Sequence, residues 1–169
     1  MKRQAIHHHA IAEDHIKVVG TPQFDVHFNH GGGGGRVQLL KRIGADPAKK
    51  LIVYCPEPKW TYSDADNLRL IHEVVSAPDF PYAVHIHIRN YPKSERDYSA
   101  LETELSVTSE RAGRIVASMA DGFDQSMEQA EHMSELMHHA DLVIQVSSTI
   151  ALDASCHDTP CIGLHLDLH

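Results

Sequence analysis

The chain has 169 residues, 42% hydrophobic and 22% charged, a size and balance that fit one globular domain burying about two-thirds of its unfolded surface. Its formal charge of −8 excludes a nucleic-acid surface, which needs a basic stripe, but not a nucleotide, because backbone dipoles bind phosphate. No apolar run reaches transmembrane length and the opening residues carry no signal-peptide pattern, so the expected location is the cytoplasm.

Residues 1–15 form a polar, His-rich lead-in with little to bury, and the domain is expected over residues 16–169. Ile16 to Val19 reads as a first strand, and Gly20-Thr21-Pro22 turns the chain out of it. Gly31 to Gly35 is the one low-complexity segment. It lacks the G-x-G-x-x-G spacing behind a strand and reads as a flexible surface loop, native or engineered. Val37 to Ile43 has helical periodicity closed by Gly44, and Leu51 to Cys55 is a second strand. Its exit, Pro56 to Tyr62, is stiff and aromatic, and leads to a helix that Ser63 or Asp64 caps and that runs to Val75. Open α/β sheets place ligands at such strand ends. There Lys59 can meet a phosphate, and Trp60 can cover a base or equally pack under the loop.

Ala83 to Arg89 alternates as a third strand, with His85 and His87 on one face and valine and isoleucines on the other. Both histidines are expected to be buried and hydrogen-bonded. Arg89 leaves the strand at the ligand edge, where its guanidinium suits a phosphate or carboxylate, unless an acidic neighbour takes it. Asp97 to Leu105 is a helix, Arg114 to Ser118 a fourth strand, and Ser126 to His139 a helix with a core stripe of Met127, Met133, Leu136 and Met137. Leu142 to Val146 is a β-branched run that reads as a buried parallel strand. It passes into Ser147-Ser148-Thr149, then a helix from Ile150 to His157, and Cys161 to Leu164 is the last strand. A strand, a small polar turn and a helix start form an anion site from free N–H groups and hydroxyls, with Asp153 one turn on to accept sugar hydroxyls. The same residues are also ordinary N-caps.

Cys55, Cys156 and Cys161 lack a C-x-x-C pair and read as reduced core residues. The consecutive histidines His7 to His9, and His138-His139, point in different directions on a helix, so no metal is expected. Six strands alternating with five helical segments make an α/β fold, a doubly wound parallel sheet with helices on both faces.

Ser147-Ser148-Thr149, Asp153 and Pro160, seven positions later, resemble the donor-site motif of GT-B glycosyltransferases, in the broad group with MurG-like enzymes and UDP-N-acetylglucosamine 2-epimerases. Asp153 stands where Glu is commoner. Val18-Val19-Gly20-Thr21-Pro22-Gln23-Phe24-Asp25 is similar to the "VxGxPxFD" opening of their C-terminal domain. His87 to Lys93 is similar to their "xR-xHP-K" loop, with Tyr91 where His is usual. The resemblance implies a Rossmann-like C-terminal domain that binds a nucleoside-diphosphate sugar without a metal or other cofactor, through Thr21, Lys59, Arg89, Ser147, Ser148, Thr149 and Asp153. The N-terminal acceptor domain, which holds the catalytic base, would then be absent, leaving a fragment that binds donor but turns over poorly. Membrane contact would come only through that other half. A nucleotide-sugar 2-epimerase-like domain and a non-catalytic α/β binding domain are the alternatives.

Overall fold

The computed structural model describes residues 2–28, 34–56, 64–89, 99–106, 116–118 and 126–164. Five strands form one parallel sheet: β1 (Lys50–Cys55), β2 (Val84–Arg89), β3 (Val116–Ser118), β4 (Leu142–Gln145) and β5 (Cys161–Gly163), in the order β3-β2-β1-β4-β5. Helices α1 (Lys2–His9), α2 (Arg36–Arg42), α3 (Asp64–Ser76), α4 (Ser99–Ser106), α5 (Met127–His139) and α6 (Ile150–Ser155), and two 3-10 turns, Glu13–His15 and Pro22–His27, complete the described elements.

The sheet has five strands rather than six, and the difference lies at Ile16–Val19. That run is β-branched, but among the described residues it pairs with no strand, and Val18 and Val19 are 76% and 77% exposed. β-propensity without a partner edge does not make a strand.

Alternation along β1 and β2 sorts the core into two layers. Ile52 and Tyr54 of β1 join Val84, Ile86 and Ile88 of β2 under Leu68, Ile71 and Val75 of α3 and Leu101 and Leu105 of α4. On the other face Leu51, Val53 and Cys55 pack with Leu39 and Leu40 of α2, Leu136 and Met137 of α5, and Ile150 and Ala154 of α6. The sheet is therefore doubly wound, as its apolar periodicity predicts. In the α5 stripe Leu136 and Met137 are core and Met133 packs against it, but Met127, the first residue of the helix, is 71% exposed.

Local signals set the helix ends. Ser126 caps α5 by accepting from the Gln129 amide at 3.2 Å. Gly44 takes φ +72° after α2, and the Ala45 amide reaches back to the Leu40 carbonyl at 2.7 Å. Asp64 and Asp66 lie in the first turn of α3, where the helix dipole favours acids. At the amino edge of the sheet Asp141 accepts from Arg36 at 2.6 Å, Lys50 at 2.8 Å and the Leu51 amide at 2.8 Å, fastening α2 and β1 to β4. Burial pushes the Asp141 carboxyl up, but these three donors together outweigh it and hold the group below its ordinary value. Helix α1 buries nothing, and no described helix is long and apolar enough to cross a membrane.

Candidate functional site

The topology points to one place for a ligand. From β1 the chain crosses to β2 through α3, on one face; from β4 it crosses to β5 through α6, on the other. The two connections diverge from adjacent strand ends, and a crevice opens outside the carboxyl ends of β1 and β4. Cys55 and Gln145 are register partners at that edge.

Ser147, Ser148 and Thr149 leave β4 at this crevice, and all three are exposed. The turn is held from inside: Gln145 Oε1 accepts from the Ser148 amide at 2.7 Å, and Ser148 Oγ accepts from the Ile150 amide at 3.3 Å. The Leu152 amide bonds the Thr149 carbonyl at 2.8 Å. The amides of Ser148, Ile150 and Leu152 are thus engaged within the turn, and a six-residue helix adds only a weak dipole. What the loop offers a ligand is the pair of hydroxyls on Ser147 and Thr149. Thr149 occupies the N-cap position with φ −65° and ψ −8° and makes no side-chain cap, so the capping role falls to Ser148 alone.

Arg89 ends β2 on the same sheet face as α6, half-buried, and no described carboxylate closes on it. Burial lowers the affinity of its guanidinium for a proton, and the fields of Cys55 and Asp153 oppose that shift. The group stays cationic. Asp153 lies one turn into α6 with its side chain 22% exposed. One carboxylate oxygen, Oδ1, is already bonded to His27 Nε2 at 2.8 Å. Cys55 is buried among these groups, and burial pushes its thiol up to about 12, so it supplies no nucleophile.

Thr21 is exposed at the head of a 3-10 turn, Pro22–His27, that docks against α5. Lys59 and Trp60 lie outside the described residues, as do Tyr91 to Lys93 and the glycines Gly31 to Gly33. The base of the β1–α3 loop is fixed by a buried group: Tyr54 donates to Asp64 at 2.7 Å and accepts from Asn67 at 3.0 Å. Among the described residues no three His, Cys, Asp or Glu side chains are placed to hold a metal ion.

Two expectations change. His87 is fully buried, but neither ring nitrogen has a hydrogen-bond partner among the described residues. Cys161 lies exposed on the edge strand β5 and Cys156 is half-buried, so only Cys55 is a core cysteine. Gln145, His27 and Ser134 carry contacts at the site that the sequence does not announce. Gln145 has a weak signal, a polar residue at the end of a buried strand facing the turn. His27 and Ser134 have none, since their bond joins positions 107 residues apart.

No known family profile matches the chain, and no curated protein matches it significantly. Solved structures do. Three forms of the wall teichoic acid polymerase TagF superpose with TM-scores of 0.54 to 0.56 at 16–17% identity. They cover 99% of this chain, which spans 36–38% of theirs. One of them was soaked with CDPG. At that identity the likeness is one of fold alone, a Rossmann-like parallel α/β fold.

Proposed function

We propose that this chain is the donor-binding half of a GT-B glycosyltransferase of the broad MurG-like group, and that it holds a nucleoside-diphosphate sugar at the carboxyl edge of β1 and β4. The observation that carries the reading is the exposed hydroxyl turn Ser147 to Thr149, set where the sheet's connections diverge. Ser147 and Thr149 donate to the diphosphate, Arg89 neutralises it from the neighbouring strand, and Lys59 adds a second cation. In this reading no metal is needed, because the cations and hydroxyls meet the diphosphate's charge. Asp153 takes the sugar hydroxyls of the nucleotide, and Thr21 closes the near side. Catalysis would draw on an acceptor-binding domain of the same enzyme, and donor binding is the part this reading gives to the sheet edge described above. The location that suits such a donor is the cytoplasm.

A calorimetric panel of UDP, CDP, GDP, ADP, their common sugars and CDPG against the purified chain tests this. Saturable binding of one base is expected, weakened at least tenfold by Thr149→Val, where a hydrogen bond to a charged group is removed. Ser148→Ala is expected to cost stability rather than binding, since its hydroxyl serves the Ile150 amide. Flat traces from folded protein would overturn the reading in favour of an α/β domain with some other ligand. Conversion of a bound UDP-sugar to its epimer by the full enzyme would favour the 2-epimerase.

A further inference from the structure

Between residues 2 and 28 a single residue, His27, is buried. Around it Val18, Val19 and Phe28 lie open to solvent, so the imidazole is the anchor that holds this segment to the α/β body. Both ring nitrogens are bonded to residues 107 to 130 positions further along the chain. Nε2 is 2.8 Å from Asp153 Oδ1; Nδ1 is 2.9 Å from Ser134 Oγ and 3.1 Å from His157 Nε2. Ser134 Oγ is in turn 2.9 Å from His157 Nε2.

A neutral His27 ring beside an ionised Asp153 gives one consistent set of donors along this chain of contacts. Its carboxylate only accepts, so His27 donates from Nε2–H and leaves Nδ1 as an acceptor for the Ser134 hydroxyl. The Ser134 oxygen then accepts from His157 Nε2–H. Three side chains, from the N-terminal segment, α5 and the turn after α6, line up their donors toward one carboxylate oxygen of Asp153. The order Asp–His–Ser is not a hydrolytic triad here: Ser134 is fully buried within α5 and cannot reach a substrate. The other oxygen of Asp153, Oδ2, has no partner among the described residues.

We infer that His27 is the positioning residue of the candidate nucleotide site: it fixes Asp153 through Oδ1 and leaves Oδ2 to receive the vicinal hydroxyls of a ribose. The inference rests on the nucleotide reading above. It makes the N-terminal segment part of the site, because Asp153 is set only while residues 21–28 are docked, and it ties Thr21 to the same event.

The experiment compares wild type, His27→Ala, His27→Gln and Asp153→Asn in two measurements. Amide hydrogen exchange follows Phe24 and Phe28, whose N–H groups bond the Thr21 and Asp25 carbonyls in the docked turn. Calorimetry compares the ribonucleoside diphosphate with its 2′,3′-dideoxy counterpart. Wild type should prefer the ribose form roughly tenfold, the effect of one charged hydrogen bond. His27→Ala should lose that preference and the protection of Phe24 and Phe28, while its far-UV circular dichroism stays that of the folded sheet. His27→Gln, which keeps one donor, should recover part of both; Asp153→Asn should lose the preference. A ribose preference undiminished in a folded His27→Ala protein would overturn the positioning role. Unchanged exchange at Phe24 and Phe28 would overturn the anchor. Flat wild-type calorimetry would overturn the nucleotide reading and Asp153's hydroxyl role together, and exchange tells this apart, because the His27 anchor would still register there.

Discussion

Replacing His87 by leucine should flatten the acid side of the stability curve. His87 lies in the middle of β2, paired in register with Val53 on one side and Val116 on the other, and its ring is fully buried. Burial, reinforced by the positive fields of His85, His132 and Arg89, pushes its pKa down to about 3 from the ordinary 6.5. In the unfolded chain the same ring takes a proton below about pH 6.5. A lowered folded value means that stability is fully present above about 6.5 and is lost as pH falls toward about 3. Each pH unit in that window removes up to about 1.4 kcal/mol, so acidification from about pH 7 to about pH 5 costs up to about 2 kcal/mol through this group. With a urea dependence of about 2 kcal/mol per molar, the denaturation midpoint of wild type should fall by up to about 1 M more than that of His87→Leu. At neutral pH the variant should equal or exceed wild type, because leucine fills similar volume and removes two unpartnered nitrogens. Other depressed histidines, His72, His132 and His139, slope both curves alike, so the difference between the proteins isolates His87. Parallel curves for the two proteins between about pH 7 and about pH 4.5 would refute the reasoning.

Tyr54→Phe should destabilise by about 2 kcal/mol, one charged hydrogen bond lost and the Asn67 donor stranded, read as a drop of several degrees in Tm. Asp141→Asn should weaken folding at neutral pH by about 1 kcal/mol after screening. Because the native carboxyl titrates below its unfolded value, that deficit should shrink as pH falls through the carboxylate range, as paired urea titrations would show. Gly44→Ala should cost about 1 kcal/mol, since φ +72° is strained for any residue with a Cβ. Iodoacetamide followed by mass spectrometry should label Cys161 in the native protein and leave Cys55 unmodified until urea is added.

Periodicity carried much of the fold. Leu142 to Gln145, the turn at Ser147 and the helix from Ile150 are legible because a buried parallel strand is β-branched throughout and its exit cannot be. Helix α5 is legible from its cap at Ser126, and α2 from the glycine that ends it. Ile16 to Val19 misleads because strand propensity is local while strand pairing is not. The candidate site is legible as far as single elements can show it: hydroxyls on one turn, a cation on one strand, an acid on one helix. Its coupling is not. Whether Asp153 faces solvent or His27 depends on how a distant segment packs, and no spacing within α6 encodes that. The burial of Gln145's role is similar: a glutamine at a strand end looks like a boundary residue until its amide is seen holding the Ser148 N–H.

At 169 residues the chain is small enough for backbone-resolved NMR, and titration of a labelled sample with the nucleoside diphosphates tests the central claim most directly. The account predicts saturable shifts at Gln145 through Asp153, the Arg89 guanidinium, Lys59 and the docked turn at Thr21 to Phe28. Saturable shifts that cluster at the amino edge of the sheet, around Arg36, Lys50 and Asp141, or no shifts at all, would contradict it.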